Sequence, residues 1–255
     1  TLSVNWCFSL VKRNLGIDRV EPWRISAVTM PSPFDYKNNT LLYIPQTIPF
    51  PNIHDPGYIK AVAEEIKKLV CVTDGHTLIL FTSYWLMERV YGMLRGELEN
   101  HYPVFIMNRG RVDAIARYRN SENGILFASD AAGEGIDLAG DILSSLIIVK
   151  LPFAVPDPIT QYEQSQYPSL QQYLEDVTVP NMLIKLKQYV GRAIRTEDDT
   201  AVISILDSRI QPGGKYRRVV LHALFSTSAT DNIYDVWAFI QNRKGKEYFG
   251  GDGNG

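Results

Sequence analysis

The feature of this sequence that most restricts its fold is a series of short apolar runs. Each is long enough for a buried strand and too short for a helix. The clearest are TLILF, GILFA, SLIIVK and AVISIL, at residues 77–81, 124–128, 145–150 and 201–206, with weaker strands predicted at 41–44 and 104–107. Helical patterns separate the runs, at residues 58–70, 84–98, 111–119, 159–175, 179–195, 216–225 and 231–242. Strands that are buried on both faces and alternate with helices predict a mostly parallel sheet with right-handed crossovers. The predicted fold is therefore α/β and doubly wound, with helices on both faces of the sheet.

Composition divides the chain into three parts. Residues 1–57 combine a short helix with a proline-rich stretch, which we expect to pack as an arm on the body because its aromatic side chains favour burial. Residues 58–249 carry the alternating strands and helices and form the main domain. Residues 250–255 have no side chain that gains from burial, so we expect a disordered tail. Because the chain begins at Thr1 rather than at a methionine, we expect it to be part of a longer protein.

Composition also argues against several kinds of site. The two cysteines, Cys7 and Cys71, form no CxxC pair and the four histidines are scattered, so the sequence has no zinc or iron–sulfur ligand pattern. The net charge of −2 gives no global basic field, and any nucleic-acid binding must come from local patches. No apolar run approaches about 18 residues, and no signal-peptide pattern opens the chain. We therefore expect a cytoplasmic protein with no metal site in this chain.

An arginine-containing segment, QYVGRAIR, is a candidate anion site. If residues 179–195 form one helix, Gln188, Arg192 and Arg195 share a face at positions i, i+4 and i+7, opposite an apolar stripe. Both guanidiniums would then point outward, and they suit polyphosphate because they offer planar, forked donors and stay charged. Gly191 would cost such a helix about 1 kcal/mol relative to alanine. Taken alone, the segment is equally consistent with an ordinary solvated helix face.

Polar residues that follow the strands are further candidates, because ligands of open α/β sheets bind outside the carboxyl ends of the strands. Thr82 and Ser83 follow TLILF and supply hydroxyl and backbone N–H groups at a helix start, which suits an anion. The alternative is that they only cap the helix. Ser129 and Asp130 follow GILFA and open a glycine-rich turn.

The glycine-rich turn, SDAAGEGID, fits neither of two common nucleotide motifs. It is not a dinucleotide fingerprint, because Leu138 stands where the third glycine should be, which disfavours a dinucleotide-dependent oxidoreductase. The sequence also contains no Walker A motif, GxxxxGK[ST]. What remains is a tight turn in which the backbone can approach a ligand, with Asp137 available to accept from a sugar hydroxyl or an arginine. The alternative is a surface loop with solvated carboxylates.

The order of these pieces resembles the second RecA-like motor domain of superfamily-two helicases, in the DinG/XPD-type branch and closest to the bacterial DinG helicases. The resemblance rests on the strand followed by Thr82 and Ser83, on SDAAGEGID, on LKQYVGRAIR and on a strand ending ILDSR. Further matches are SPFDY, KLPFAVPDP and TEDD, so the resemblance covers nearly the whole chain. One departure is Gly133, where DinG-type proteins usually carry an aromatic residue.

The resemblance implies a role for each candidate. Arg192 and Arg195, with Gln188, fall on the sixth helicase motif, whose arginines reach the ATP γ-phosphate across an interdomain cleft. The fifth motif couples nucleotide to DNA and covers the turn; its implied cofactor-binding residues are Glu134, Gly135 and Asp137. The resemblance implies contacts to the DNA backbone from Thr82, Ser83, Ser129 and Asp130.

The implied function is that of the second motor domain of an ATP-dependent, 5′→3′ DNA helicase, with single-stranded DNA and the first RecA-like domain as partners. ATP and Mg²⁺ would be held mainly by that first domain, which in this family also carries any iron–sulfur cluster. Phosphoryl transfer needs a Walker A lysine and a Mg²⁺-binding acid. Since neither motif is in this sequence, we expect the chain alone to be inactive. The alternative is a non-catalytic nucleic-acid or protein interaction module on a RecA-like fold.

Overall fold

A computed structural model describes residues 8–28, 30, 34–107, 113–129, 138, 140–224 and 229–249. Within these residues, six strands form one sheet: β1 (Thr40–Tyr43), β2 (Thr77–Phe81), β3 (Val104–Met107), β4 (Ile125–Ser129), β5 (Ser145–Ile148) and β6 (Ala201–Ile205). Their order across the sheet is β1-β6-β5-β2-β4-β3, and every pair is parallel. The predicted α/β fold with a parallel sheet is confirmed.

Ten α-helices connect and cover the strands in the described part of the chain. They are α1 (Ser9–Asn14), α2 (Tyr36–Asn39), α3 (Pro56–Val72), α4 (Tyr84–Leu98), α5 (Asp113–Arg119), α6 (Pro158–Ser165), α7 (Leu170–Tyr173), α8 (Val179–Val190), α9 (Arg217–Ala223) and α10 (Ile233–Arg243). A π-helical turn, Leu174–Thr178, joins α7 to α8. None of the described helices is long and apolar enough to cross a bilayer.

Side chains that alternate along each strand build two cores, one on each face of the sheet. In β2, Leu78 and Leu80 enter the core that α8 and α9 cover. Ile79 and Phe81 enter the opposite core, which α3, α4 and α10 cover. This two-fold period is the pattern expected for strands buried on both faces. The apolar runs therefore appear continuous in sequence because both faces of each strand are covered.

The prediction of one helix over residues 159–175 is wrong, because the helix is interrupted between the end of α6 at Ser165 and the start of α7 at Leu170. Pro168 disfavours helical backbone at the preceding residue, and the Ser169 hydroxyl accepts the Gln172 N–H at 3.2 Å to begin α7. The division of the chain at residue 57 stays a prediction, although β1 pairs with β6 at the edge of the sheet. The glycine-rich tail lies outside the described residues.

Candidate functional site

The candidate residues that the structure describes lie at two opposite edges of the sheet. Because all the strands are parallel, their carboxyl ends share one edge and their amino ends share the other. Thr82 and Ser83 follow β2 and Ser129 ends the neighbouring β4, so these three residues belong to the carboxyl edge. Arg192 and Arg195 precede the start of β6 at Ala201 and belong to the amino edge. Among the described candidates, the sheet therefore separates the predicted DNA contacts from the two arginines predicted to contact nucleotide.

The prediction of one helix through residue 195 is wrong, because α8 ends at Val190. The next two backbone hydrogen bonds span three residues, as in a 3₁₀-helix, instead of four. The Arg192 N–H donates to the Tyr189 carbonyl and the Ala193 N–H donates to the Val190 carbonyl, each at 3.0 Å. Gly191 lowers the stability of a continued helix, and an added Cβ there would lie 3.2 Å from the Lys187 carbonyl oxygen. The arginines are thus carried by a turn, residues 191–196, and not by a helix face. We call these residues the arginine turn.

This turn presents its polar side chains unequally. Gln188 and Arg195 are exposed, whereas Arg192 is only 8% exposed. The Arg192 guanidinium carbon lies 5.8 Å from the centre of the Tyr189 ring, within the range of a cation–π contact. The prediction that both guanidiniums point outward is therefore wrong for Arg192. The helix stops early, so Ala193 and Ile194 enter the core and the chain bends around them.

A buried carboxylate joins the arginine turn to the residues after the glycine-rich segment. One oxygen of Asp199 accepts the N–H groups of Arg195 at 2.7 Å and Thr196 at 2.8 Å, and the other accepts the Gly140 N–H at 3.2 Å. Burial acts to raise the pKa of Asp199, but these N–H donors and the Thr196 side chain together outweigh it and hold the pKa below its usual value. Leu138 packs into the same core as Ile194. The amino edge therefore brings the arginine turn together with Leu138 and Gly140, which follow the glycine-rich turn in the sequence.

Several predicted residues fall outside the described part of the chain. These are the cofactor-binding candidates Glu134, Gly135 and Asp137, the DNA-binding candidate Asp130, and Gly133. Their described neighbours lie at opposite edges, with Ser129 at the end of β4 and Gly140 before the start of β5. Among the described residues, no group of three or more histidine, cysteine or acidic side chains could hold a metal ion.

At the carboxyl edge, Thr82 and Ser83 are partly exposed and Ser129 is half-buried beside them. The Ser83 hydroxyl accepts the Leu86 N–H at 3.4 Å, so Ser83 is the N-cap of α4. The capping alternative is confirmed for this residue, and capping leaves its other hydrogen-bonding capacity open to a ligand. The prediction that this edge contacts DNA remains a prediction.

Sequence reasoning missed a basic and aromatic cluster on the same edge. Asp207, which is fully buried, accepts the Leu151 N–H at 2.9 Å and the Arg209 Nη2 at 2.6 Å. The Arg209 guanidinium lies over the Phe153 ring, with 4.9 Å between its carbon and the ring centre. Burial, and then the charge of Arg209, lower the pKa of Lys150. The signal was present in KLPF and ILDSR, but these segments are neighbours only because β5 pairs with β6.

Two exposed aromatic side chains extend this edge beyond Ser83. Tyr84 and Trp85 begin α4 and are 47% and 40% exposed. The Arg89 guanidinium carbon lies 5.1 Å from the centre of the Trp85 ring. Hydroxyl groups, cations and aromatic faces along one edge suit a nucleic-acid strand, whose phosphates and bases need different partners.

Comparison with known proteins agrees with this architecture. The sequence profile described as "Helicase C-terminal domain" matches residues 66–227. "ATP-dependent DNA helicase DinG" of Photobacterium profundum is 34% identical over 232 residues, which are 85% of this chain and 32% of that protein. "ATP-dependent DNA helicase YoaA" of Escherichia coli is 31% identical over 213 residues, which are 82% of this chain and 32% of that protein.

Structural comparison points to the same fold. A solved structure titled "XPD_APO" superposes with a TM-score of 0.62 at 22% identity, over 75% of this chain and 39% of that one. This chain spans about a third of the length of the DinG and YoaA relatives. The profile match, the relatives and the fold place this chain in the helicase C-terminal domain family, as a C-terminal RecA-like domain of the DinG/XPD type.

Proposed function

We propose that this chain is the second motor domain of an ATP-dependent DNA helicase, working at the two opposite edges of its sheet. The amino edge supplies arginine to ATP held in a cleft with a first RecA-like domain, and the carboxyl edge holds single-stranded DNA. The observation that carries this proposal is the separation of the two sets of residues: exposed Arg195 at one edge, and hydroxyl groups, cations and aromatic rings at the other.

At the amino edge, Arg195 makes the direct contact with the γ-phosphate. Its side chain is exposed, and its backbone is held by the buried carboxylate of Asp199. Arg192 contributes through the small part of its side chain that reaches the surface, and Gln188 lies exposed on the last turn of α8. The ATP and Mg²⁺ are held mainly by the first domain, since the sequence of this chain has no Walker A motif. The chain alone therefore hydrolyses no ATP.

The nucleotide role is tested by mutating the arginines in the complete gene product. An arginine finger is worth about 10³–10⁵ in turnover where it has been measured. Arg195→Ala and Arg192→Ala are expected to lower DNA-stimulated ATP hydrolysis strongly while leaving nucleotide affinity nearly unchanged. Arg218→Ala, which removes an exposed arginine of α9, is the matched control and is expected to keep full turnover. Unchanged turnover in both test variants would exclude the proposed role.

The DNA role is tested on this chain itself, with a fluorescent single-stranded oligonucleotide. Binding governed by phosphate contacts falls steeply with salt, with a slope of about −0.7 per neutralised phosphate for single strands. Lys150→Gln is expected to reduce that slope. Stacking of a base on an aromatic side chain is worth about 1–3 kcal/mol, so Trp85→Ala is expected to weaken binding at every salt concentration. An affinity that does not change between low and physiological salt would contradict DNA binding at this edge.

The direction of travel is proposed from the resemblance to the family. We expect 5′→3′ unwinding by the complete protein. The measurement is strand displacement on duplexes that carry either a 5′ or a 3′ single-stranded tail. Displacement that requires a 3′ tail would contradict this polarity.

A further inference from the structure

Asp199 connects two parts of the chain that are 59 residues apart in sequence. It lies four residues after Arg195 and two before the first residue of β6, so the sheet fixes its position. Its carboxylate accepts two N–H groups from the arginine turn and one from Gly140. Hydrogen bonds to an ionised acceptor are about twice as strong as neutral ones. The carboxylate is therefore a rigid link between the arginine turn and Gly140.

The Gly140 side of this link is equally anchored. Gly140 has a positive φ of 74°, which favours glycine, and it opens the short 3₁₀ turn Gly140–Leu143. The next residue, Ser144, donates its N–H to the His76 carbonyl at 3.1 Å, at the start of β2. Gly140 follows Gly135 and Asp137 closely in sequence. The carboxylate thus holds Gly140, three residues after Asp137 in the sequence.

A lysine ties the same two segments together a second time. The side chain of Lys244, which follows α10, is only 4% exposed. Its ammonium group donates to the Asp141 carboxylate at 2.6 Å and to the Thr200 carbonyl at 3.0 Å. Asp141 and Thr200 are the immediate neighbours of Gly140 and Asp199. Two independent polar links therefore connect residues 140–141 to residues 199–200.

We propose that Asp199 is a positioning residue for ATP hydrolysis, which holds the arginine turn and Gly140 in one fixed arrangement, with Lys244 as a second tie. The inference rests on the proposed role of Arg195 as the contact to the γ-phosphate. Asp199 itself touches no substrate. It acts by keeping the backbone of Arg195 in place, so that the guanidinium needs no rearrangement when the cleft closes.

The test in the complete gene product is Asp199→Asn. An asparagine has one acceptor oxygen and cannot accept from both segments with the same strength. A misplacement of about 1 Å at a reacting centre can cost roughly 100-fold in rate. The turnover number is therefore expected to fall roughly 10- to 100-fold, with little change in the KM for ATP. Asp198→Asn, an exposed neighbour, is the matched control and is expected to leave both constants unchanged.

A double variant separates positioning from a general loss of folded protein. If Asp199 acts through Arg195, Asp199→Asn has little further effect on turnover in the Arg195→Ala background. An equal fold-loss in both backgrounds would overturn the inference. Lys244→Met, which weakens the second tie, is expected to lower turnover less than Asp199→Asn does. Full turnover in both Asp199→Asn and Lys244→Met would also overturn the inference.

A readout on the chain alone does not depend on the proposed function. Hydrogen exchange at the amides of Gly140, Arg195 and Thr196 is expected to accelerate in Asp199→Asn and not in Asp198→Asn. Unchanged exchange at all three amides would overturn the inference whatever the ATPase result. Accelerated exchange, together with full turnover in both Arg192→Ala and Arg195→Ala, would instead contradict the proposed function and leave the link itself intact.

Discussion

The sharpest stability prediction concerns Asp207, the fully buried carboxylate at the carboxyl edge. It accepts the Leu151 N–H at 2.9 Å, and the N–H, Nε and Nη2 of Arg209 at 3.0, 2.9 and 2.6 Å. The Arg209 side chain is itself only 19% exposed. Asp207→Ala would leave a buried backbone N–H without its acceptor and a mostly buried guanidinium without its counter-charge. Both are groups whose desolvation is no longer compensated.

The expected cost follows from that arrangement. Removing one partner of a buried ion pair costs about 3–5 kcal/mol. The whole free energy of unfolding of a domain is about 5–15 kcal/mol, so this is a large fraction of it. For a chain of this size each 1 kcal/mol shifts the melting temperature by about 2–4 °C, which gives a decrease of roughly 6–20 °C.

Urea denaturation of the purified chain, followed by circular dichroism, measures this cost. The slope of unfolding free energy against urea should stay constant, because the surface exposed on unfolding is the same. Asp198→Ala, which removes an exposed carboxylate, is expected to change the unfolding free energy by less than about 0.5 kcal/mol. A cost below about 1 kcal/mol for Asp207→Ala would refute the reasoning. It would mean that water or another group compensates both partners.

Four further substitutions test the packing and the pH response. Gly75→Ala is expected to lower the free energy of unfolding by more than about 2 kcal/mol, because Gly75 has a φ of 76° and an added Cβ would lie 2.0 Å from the Asn123 carbonyl oxygen. Gly96→Ala in α4, where an added Cβ would meet nothing within 4 Å, is expected to raise the free energy of unfolding by about 0.5–1 kcal/mol in the same urea assay. Leu186→Ala, which truncates a fully buried side chain of α8, is expected to lower the free energy of unfolding by about 2–5 kcal/mol, and a change near zero would contradict that burial. Burial lowers the pKa of His76, so the folded chain binds fewer protons and stability should fall as the pH drops below about 6.5. His76→Asn should flatten that slope in melting curves between pH 7 and pH 5, and an unchanged slope would assign the pH response to other groups.

Much of the architecture could be predicted from local sequence, because each element carries its own physical signal. The run TLILF predicts a buried strand, and β2 occupies those same residues. Ser83 before an amphipathic stretch predicts the start of α4, and the Ser83 hydroxyl caps it. The parallel arrangement follows as well, since strands buried on both faces need helices between them.

The arginine turn could not be predicted from local sequence. Helical spacing places Arg192 and Arg195 on one exposed face, but α8 ends at Val190 and Arg192 is buried. The difference arises because the helix is capped at Gly191, a poor helix former, and the bend that follows turns Ala193 and Ile194 into the core. Helical spacing assigns residues to a face only while the helix continues, and the tertiary contacts around its end are not visible in that spacing.

The sequence by itself determined the strands, the parallel sheet and the chemical types available at its edges, because these depend on residues close together in the chain. Tertiary structure alone decided which of those residues meet. The Asp199 carboxylate accepts a hydrogen bond from Gly140, which is 59 residues away in the sequence. Lys150 and Arg209 become neighbours because β5 pairs with β6. Pairings of this kind are set by the order of strands in the sheet and by the packing of the cores, and no local pattern of side chains carries that information.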